Sequence, residues 1–101
     1  MRRRLRAREQ VIAGWLDLGS AATAELTAAA GFDAVIVDLE HGAGDEAAAR
    51  GQIAAAGEPV LVRTPAGGTQ AGRMLDAGAV GVIFPRAASV DEARDLARAV
   101  R

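Results

Sequence analysis

The chain has 101 residues, a formal net charge of −1 and no cysteine, and half of its residues are hydrophobic. A chain of this length can form one small domain with a hydrophobic core, and the lack of cysteine excludes disulfide bonds and thiolate chemistry. The near-neutral charge gives no reason to expect a nucleic-acid partner, and no apolar run approaches the ~20 residues needed to cross a bilayer. We therefore expect a single cytoplasmic domain over residues 1–101, with neither nucleic acid nor membrane as partner.

Apolar strands and alanine-rich helices alternate along the chain. Residues 1–8 are basic and predict a solvated helix, and four short apolar runs then predict strands at 11–16, 34–37, 60–62 and 80–84. Segments with helical spacing follow each strand, at 21–30, 45–56, 69–77 and 89–100. Short, continuously apolar strands are typical of a parallel sheet, and their alternation with helices gives βαβ units. The fold class predicted is α/β, a parallel (βα)4 unit.

Two architectures use this unit. An open doubly wound sheet would have its strands in the order 2-1-3-4, whereas an arc of a (β/α)8 barrel would have them in the order 1-2-3-4. A complete barrel takes ~250 residues, so this chain would supply only the first half of one. In either architecture functional residues gather at the carboxyl ends of the strands.

Ionisable residues stand at those strand ends. Asp38, Glu40 and His41 close the second strand, and Arg63 closes the third. His41 is the only histidine and the side chain best suited to proton transfer near neutral pH. An arginine can bind a carboxylate or a developing enolate, and carboxylates can orient an imidazole or help to hold a divalent cation. The pattern suits chemistry on a small anionic carbonyl compound. The alternatives are a hydrogen-bonded loop histidine and an arginine in a salt bridge with one of these carboxylates.

Residues 42–47 match the G-x-G-x-x-A fingerprint of dinucleotide-binding proteins and lie between a strand and a helix. The acidic residues around them would repel a pyrophosphate, and Asp45 is better placed as the N-cap of the next helix. The following strand ends in Arg63 instead of the acidic residue that binds an NAD ribose. We therefore disfavour a dinucleotide site.

Ser89 and Glu92 predict a capping box at the start of the last helix.

Four motifs occur in order along the chain: Asp-Leu-Glu-His at 38–41, Val-Leu-Val-Arg-Thr-Pro at 60–65, Leu-Asp-Ala-Gly-Ala at 75–79 and Phe-Pro at 84–85. Together they resemble the HpcH/HpaI aldolases, relatives of the citrate lyase β-subunit and the malyl-CoA lyases, over nearly the whole chain. The resemblance implies the first half of a (β/α)8 TIM barrel. It also implies a homo-oligomeric, divalent-metal-dependent aldolase that cleaves 4-hydroxy-2-oxo acids to pyruvate, or a related 2-oxo acid, and an aldehyde.

The resemblance also implies roles for individual residues. His41 is similar to the acid/base histidine of the family, and Asp76 to the carboxylate that orients it. Arg63 is similar to the arginine that binds the oxo acid and steadies the enolate. Trp15 and Pro85 are expected to face the substrate.

The metal expected from the resemblance is Mg²⁺, Mn²⁺ or Co²⁺. Asp38 and Glu40 match acidic positions beside the metal, where they act through water, and the direct ligands of the family come from later strands. Little or no aldolase activity is therefore expected of the isolated chain. Arg86 replaces an apolar residue common in the pyruvate aldolases, which leaves a citrate lyase-like subclass open. A non-catalytic half-barrel that assembles with itself or another chain is the remaining alternative.

Overall fold

A computed structural model describes residues 1–57, 59–65 and 68–100. Four parallel strands form one sheet in the order β1-β2-β3-β4. Helices alternate with these strands along the chain, in the order α1 (Arg2–Arg6), β1 (Ala13–Leu16), α2 (Ala21–Ala29), β2 (Ala34–Asp38), α3 (Glu46–Ala56), β3 (Val60–Arg63), α4 (Gly68–Asp76), β4 (Gly81–Ile83) and α5 (Val90–Ala99). The predicted (βα)4 unit is confirmed. The sequential strand order is that of a barrel arc, so the doubly wound alternative is wrong.

The register of the sheet brings the charged ends of two strands together. Asp38, the last residue of β2, is paired with Arg63, the last residue of β3. Paired residues of neighbouring strands project to the same face of a sheet. The two side chains therefore lie next to each other at the carboxyl edge.

The core lies between the sheet and the helices. Side chains alternate in direction along a strand, and the core face carries the buried valines Val35, Val37, Val60 and Val62. Fully buried alanines cover this face from the helices, and they include Ala24 in α2 and Ala49 in α3. Because these side chains are small, the helices can approach the sheet closely.

Side-chain caps begin three of the helices. Asp45 accepts a hydrogen bond from the backbone N–H of Ala48 at the start of α3, as predicted. Ser89 accepts one from Glu92 at the start of α5, also as predicted, and Ser20 caps α2 in the same way. At the other end of α3, Gly57 has a φ of 62°, the left-handed conformation that favours glycine. Local sequence signals therefore set these helix ends.

The last helix packs less closely than its sequence pattern suggests. Its sequence forms an apolar stripe of Val90, Ala93, Leu96, Ala97 and Val100 at helical spacing, yet none of the described residues of α5 is buried. A cavity of about 350 Å³ lies between the helix and β4, lined by Val82, Phe84, Ala87, Ala93, Leu96, Ala97 and Val100. The stripe therefore faces an apolar space that residues of this chain only partly fill. Within the described part of the chain, no helix has the length and apolar character needed to cross a membrane.

Candidate active site

A bidentate ion pair organises the carboxyl edge of the sheet. The Arg63 Nε donates to Asp38 Oδ1 at 2.9 Å, and the Arg63 Nη2 donates to Asp38 Oδ2 at 2.5 Å. The Asp38 side chain is 1% exposed and that of Arg63 is 21% exposed. Hydrogen bonds from the guanidinium lower the pKa of Asp38 well below its usual range against the opposing effect of burial, and the same contact raises the pKa of Arg63. Both groups therefore stay charged across the physiological pH range.

Asp38 also shapes the loop that follows β2. Its Oδ1 accepts hydrogen bonds from the backbone N–H of Glu40, at 2.9 Å, and of His41, at 3.2 Å. Side-chain acceptance of backbone N–H groups two and three residues ahead is the pattern of an Asx turn. One carboxylate therefore fixes the arginine and turns the chain that carries Glu40 and His41.

Trp15 holds the guanidinium from a second side. The centre of its ring lies 4.9 Å from Cζ of Arg63, within the range of a cation–π interaction. Its indole Nε1 donates to Asp17 at 3.1 Å and lies 3.4 Å from Asp38 Oδ2. Arg63 is thus held by a carboxylate and an aromatic ring, with its Nη1 not used by Asp38.

Glu40 is the centre of a second charged group. Its side chain is 6% exposed, and its Oε1 lies 2.9 Å from His41 Nε2. Its Oε2 lies 3.1 Å from Arg86 Nη1, and its Oε1 lies 3.9 Å from Arg63 Nη1. The Arg86 contact is close but poorly directed, since Oε2 accepts no hydrogen bond of good geometry. A buried carboxylate is thus surrounded by an imidazole and two guanidinium groups.

The structure brings together five of the residues predicted for the site: Trp15, Asp38, Glu40, His41 and Arg63. The salt bridge with a carboxylate, which was the alternative interpretation of Arg63, is present. It leaves Nη1 of the guanidinium unused by Asp38 at the carboxyl edge of the sheet, which is called the rim below. Pro85 lies half-buried in the turn after β4, beside Arg86.

Asp76 lies apart from this cluster of residues. It is exposed at the C-terminal end of α4, in the connection that leads into the start of β4. The start of β4 lies at the opposite edge of the sheet from the carboxyl end of β2, because all four strands are parallel. Within one chain, therefore, Asp76 does not reach His41, and Glu40 contacts the imidazole instead. A catalytic role for Asp76 stays a prediction from the resemblance.

Arg86 was missed as a site residue. The sequence places it at a predicted strand end and marks it as a departure from the family pattern, but it was not given a role in the site. It has a φ of 59°, and its side chain reaches from the end of β4 to Glu40. Its position directly after a strand and Pro85 was the available signal, since strand ends collect functional residues.

The glycine-rich segment after His41 packs loops together. A Cβ at Gly42 would overlap the carbonyl oxygen of Asp38, and one at Gly44 would lie 2.9 Å from the Cα of Gly19. The Ala43 N–H donates to the carbonyl of Asp17 at 2.7 Å, which joins the loops after β1 and β2. These glycines are needed for the close backbone approach of the two loops.

The residues that the structure describes do not group into a complete set of metal ligands. Among the residues that the structure describes, no three His, Cys, Asp or Glu side chains are grouped so that they could hold an ion. Both oxygens of Asp38 are bound to Arg63, so direct coordination by Asp38 would break the bidentate pair. The buried Oε2 of Glu40 is the acceptor with spare capacity. A cation here would need ligands from residues other than these.

Sequential parallel strands with ionisable side chains at their carboxyl ends are typical of α/β-barrel proteins. A profile of the HpcH/HpaI aldolase/citrate lyase family matches residues 12–101. The chain belongs to this family, and the resemblance predicted from its four motifs is confirmed.

Two curated relatives and one solved structure illustrate the likeness. The chain is 43% identical over 108 residues to a hydroxypyruvate/pyruvate aldolase of Paraburkholderia phytofirmans, covering 100% of this chain and 40% of the relative. It is 34% identical over 101 residues to a 4-hydroxy-2-oxo-heptane-1,7-dioate aldolase of Escherichia coli, covering 96% of this chain and 38% of the relative. An HpcH/HpaI aldolase/citrate lyase family protein from Burkholderia cenocepacia J2315 superposes with a TM-score of 0.87 at 37% identity, covering 98% of this chain and 41% of that one. The chain thus spans about two-fifths of the length of these proteins.

Proposed function

We propose that this chain supplies the anion-binding and proton-transfer residues of a carbon–carbon lyase. The reaction would cleave a 4-hydroxy-2-oxo acid to pyruvate, or a related 2-oxo acid, and an aldehyde. The observation that carries the proposal is the fixed guanidinium of Arg63, held by Asp38 and Trp15 beside the Glu40–His41 pair. An anion-binding group next to a proton carrier is what this reaction requires.

In the proposed reaction the C3–C4 bond breaks and its electron pair passes to C3, forming the enolate of the 2-oxo acid. The proton of the C4 hydroxyl leaves as the aldehyde carbonyl forms, and C3 is later protonated. Nδ1 of His41 would accept the hydroxyl proton, since Nε2 lies 2.9 Å from Glu40 Oε1. The free edge of Arg63 would bind the substrate carboxylate and stabilise the charge that develops on the enolate.

A divalent cation, Mg²⁺, Mn²⁺ or Co²⁺, belongs to the proposal by family resemblance. When bound, it would polarise the 2-oxo group and neutralise the enolate. Glu40, through its spare acceptor, and Asp38 would face such an ion by way of water.

Ligand binding to the full chain tests the proposal. Trp15 is the only tryptophan, and its contact with Arg63 makes its fluorescence a reporter of the site. We expect pyruvate to change this fluorescence in the wild-type chain and not in Arg63→Met, while the surface control Arg94→Met behaves like the wild type. Absence of pyruvate binding to the wild-type chain would contradict the proposal.

Turnover tests whether the residues of this chain suffice for catalysis. We expect little or no aldol cleavage or oxaloacetate decarboxylation by this chain alone with Mg²⁺, Mn²⁺ or Co²⁺, because the described residues offer no complete metal site. Rapid metal-dependent turnover that is lost in His41→Asn would show that these residues suffice.

Self-assembly is a second candidate function, and a specific observation favours it. The two outer strands, β1 and β4, each have an unpaired edge within the described sheet. Large apolar side chains near those edges are exposed, with Trp15 at 46% and Val80 at 55%. A homo-oligomer could pair the edges and cover these surfaces. Sedimentation velocity would test this, and a monomer at high concentration that does not bind a hydrophobic dye would count against it.

A further inference from the structure

Arg86 reaches across the rim from the far side of the sheet. It follows β4 in a left-handed backbone conformation, with a φ of 59°, which residues other than glycine seldom adopt. Because β3 lies between β2 and β4, the Arg86 side chain passes the end of β3 to contact Glu40, which follows β2. Backbone outliers of this kind collect at functional sites.

The two guanidinium groups at the rim are held very differently. Arg63 is tied to Asp38 by two hydrogen bonds and is 21% exposed. Arg86 is 69% exposed, and its contact with Glu40 is a single ion pair of 3.1 Å. Only the arginine of this pair is exposed, and Glu40 Oε2 accepts no hydrogen bond of good geometry from it. Arg86 therefore keeps donors that a ligand can use, whereas Arg63 is already fixed in place.

Both groups nevertheless lie beside the same carboxylate. Arg63 Nη1 is 3.9 Å from Glu40 Oε1, and Arg86 Nη1 is 3.1 Å from Glu40 Oε2. A molecule with two carboxylates could therefore contact both guanidinium groups at once. Since Asp38 neutralises Arg63 in part, the more exposed positive charge at this rim is that of Arg86.

We propose that Arg86 is a specificity-determining residue that binds a second carboxylate on the substrate, distal to the one bound at Arg63. The substrate class would then be dicarboxylic 4-hydroxy-2-oxo acids. This inference rests on the proposed function, because it assumes that Arg63 binds the 2-oxo acid. Arginine suits the task, since its planar group can bind a carboxylate through two parallel hydrogen bonds. The second carboxylate would replace Glu40 as the partner of Arg86.

Two ligands of equal chain length test the inference. 2-Oxoglutarate carries a terminal carboxylate, and 2-oxopentanoate carries a methyl group in its place. Their affinities for the full chain are measured by Trp15 fluorescence and by calorimetry, with the wild type, Arg86→Met, Arg86→Lys and Arg63→Met. The matched control is Arg94→Met, which removes an arginine of similar exposure, 66%, from α5.

We expect the wild type and Arg94→Met to bind 2-oxoglutarate about tenfold more tightly than 2-oxopentanoate, a typical value for one charge-assisted contact. Arg86→Met should lose this preference with its affinity for 2-oxopentanoate unchanged, and Arg86→Lys should keep part of it. A wild type without the preference, or an Arg86→Met variant that retains it or weakens both ligands equally, would overturn the inference. The proposed function fails separately, if Arg63→Met leaves both affinities unchanged. A wild-type chain that binds neither ligand overturns both.

Discussion

The imidazole of His41 is paired with the carboxylate of its sequence neighbour, with Nε2 of His41 2.9 Å from Oε1 of Glu40. Adjacent residues seldom face each other in a strand, because side chains alternate. Here β2 ends at Asp38, and that residue accepts the backbone N–H groups of both Glu40 and His41. The turn that results brings the two side chains together. The contact between the two side chains is thus produced by the strand end itself.

The pairing predicts which carboxylate controls the histidine. His41 is the only histidine, so its imidazole gives a single set of NMR signals. We expect Glu40→Gln to shift these signals and alter the tautomer ratio, because Gln replaces the carboxylate that lies 2.9 Å from Nε2. Asp76→Asn should leave them unchanged in a monomeric chain, since Asp76 lies at the opposite edge of the sheet. A shift caused by Asp76→Asn alone would restore the pairing predicted from the family resemblance.

The buried ion pair at the end of β2 and β3 predicts a large and asymmetric effect on stability. Arg63→Met should lower the free energy of unfolding by about 3 kcal/mol, because it leaves the Asp38 carboxylate buried without its partner. Asp38→Asn should lower the free energy of unfolding by a smaller amount, about 2 kcal/mol. The loss is smaller because the carbonyl oxygen of the introduced amide can still accept the loop N–H groups and because Arg63 is partly exposed.

Urea denaturation of both single variants and the double variant measures this coupling. The double variant should lose less than the sum of the two single losses, as expected for groups in direct contact. Asp95→Asn, in an exposed pair with Arg98, is the control and should cost less than ~0.5 kcal/mol. Strictly additive losses at Asp38 and Arg63 would contradict the role assigned to the pair.

Part of this site could be predicted from the sequence for clear reasons. The alternation of apolar strands and helices indicated the fold class, and parallel strands necessarily carry Asp38 and Arg63 to the same edge. The positions of caps such as Asp45 follow from local chemistry, which the chain carries within a few residues. These features depend on short-range patterns or on topology alone.

Other features depend on backbone geometry that the sequence does not display. The turn after Asp38 pairs Glu40 with His41, and the left-handed conformation of Arg86 directs its side chain across β3. The resemblance gave Asp76 a role without regard to the edge of the sheet at which α4 ends, and that role stays a prediction. The apolar stripe of α5 predicts that this helix is buried. Burial also needs a facing apolar surface, and β4 covers only part of the stripe.

A second ion pair predicts how stability changes with pH. Arg73 donates to Glu46 at 2.8 Å between α4 and α3, and hydrogen bonds from Arg73 lower the pKa of Glu46 from 4.5 to about 2. Because the folded-state pKa is the lower one, the pair stabilises the fold fully above pH 4.5 and loses its effect as the pH falls toward 2.

The corresponding variant is Glu46→Gln. The difference in unfolding free energy between the wild type and this variant should be constant above about pH 5, and it should shrink steadily at lower pH. Glu25→Gln, an exposed position on α2, serves as control and should show no such trend. A difference that grows on acidification would mean that the pKa of Glu46 is raised in the folded chain.

Gly42 and Gly72 predict opposite responses to the same substitution. A Cβ at Gly42 would overlap the backbone carbonyl of Asp38 and lie 3.3 Å from that of Asp17, whereas a Cβ at Gly72 would meet nothing within 4 Å. Backbone atoms cannot move aside as a flexible side chain can, so Gly42→Ala should lower the free energy of unfolding by about 2 kcal/mol. Gly72→Ala should raise it by about 0.5–1 kcal/mol, because alanine favours the helix interior. Thermal unfolding measures both effects, and the His41 NMR signals should move only in Gly42→Ala. Equal stability changes in the two variants would mean that the loop after β2 does not need glycine to hold the rim in place.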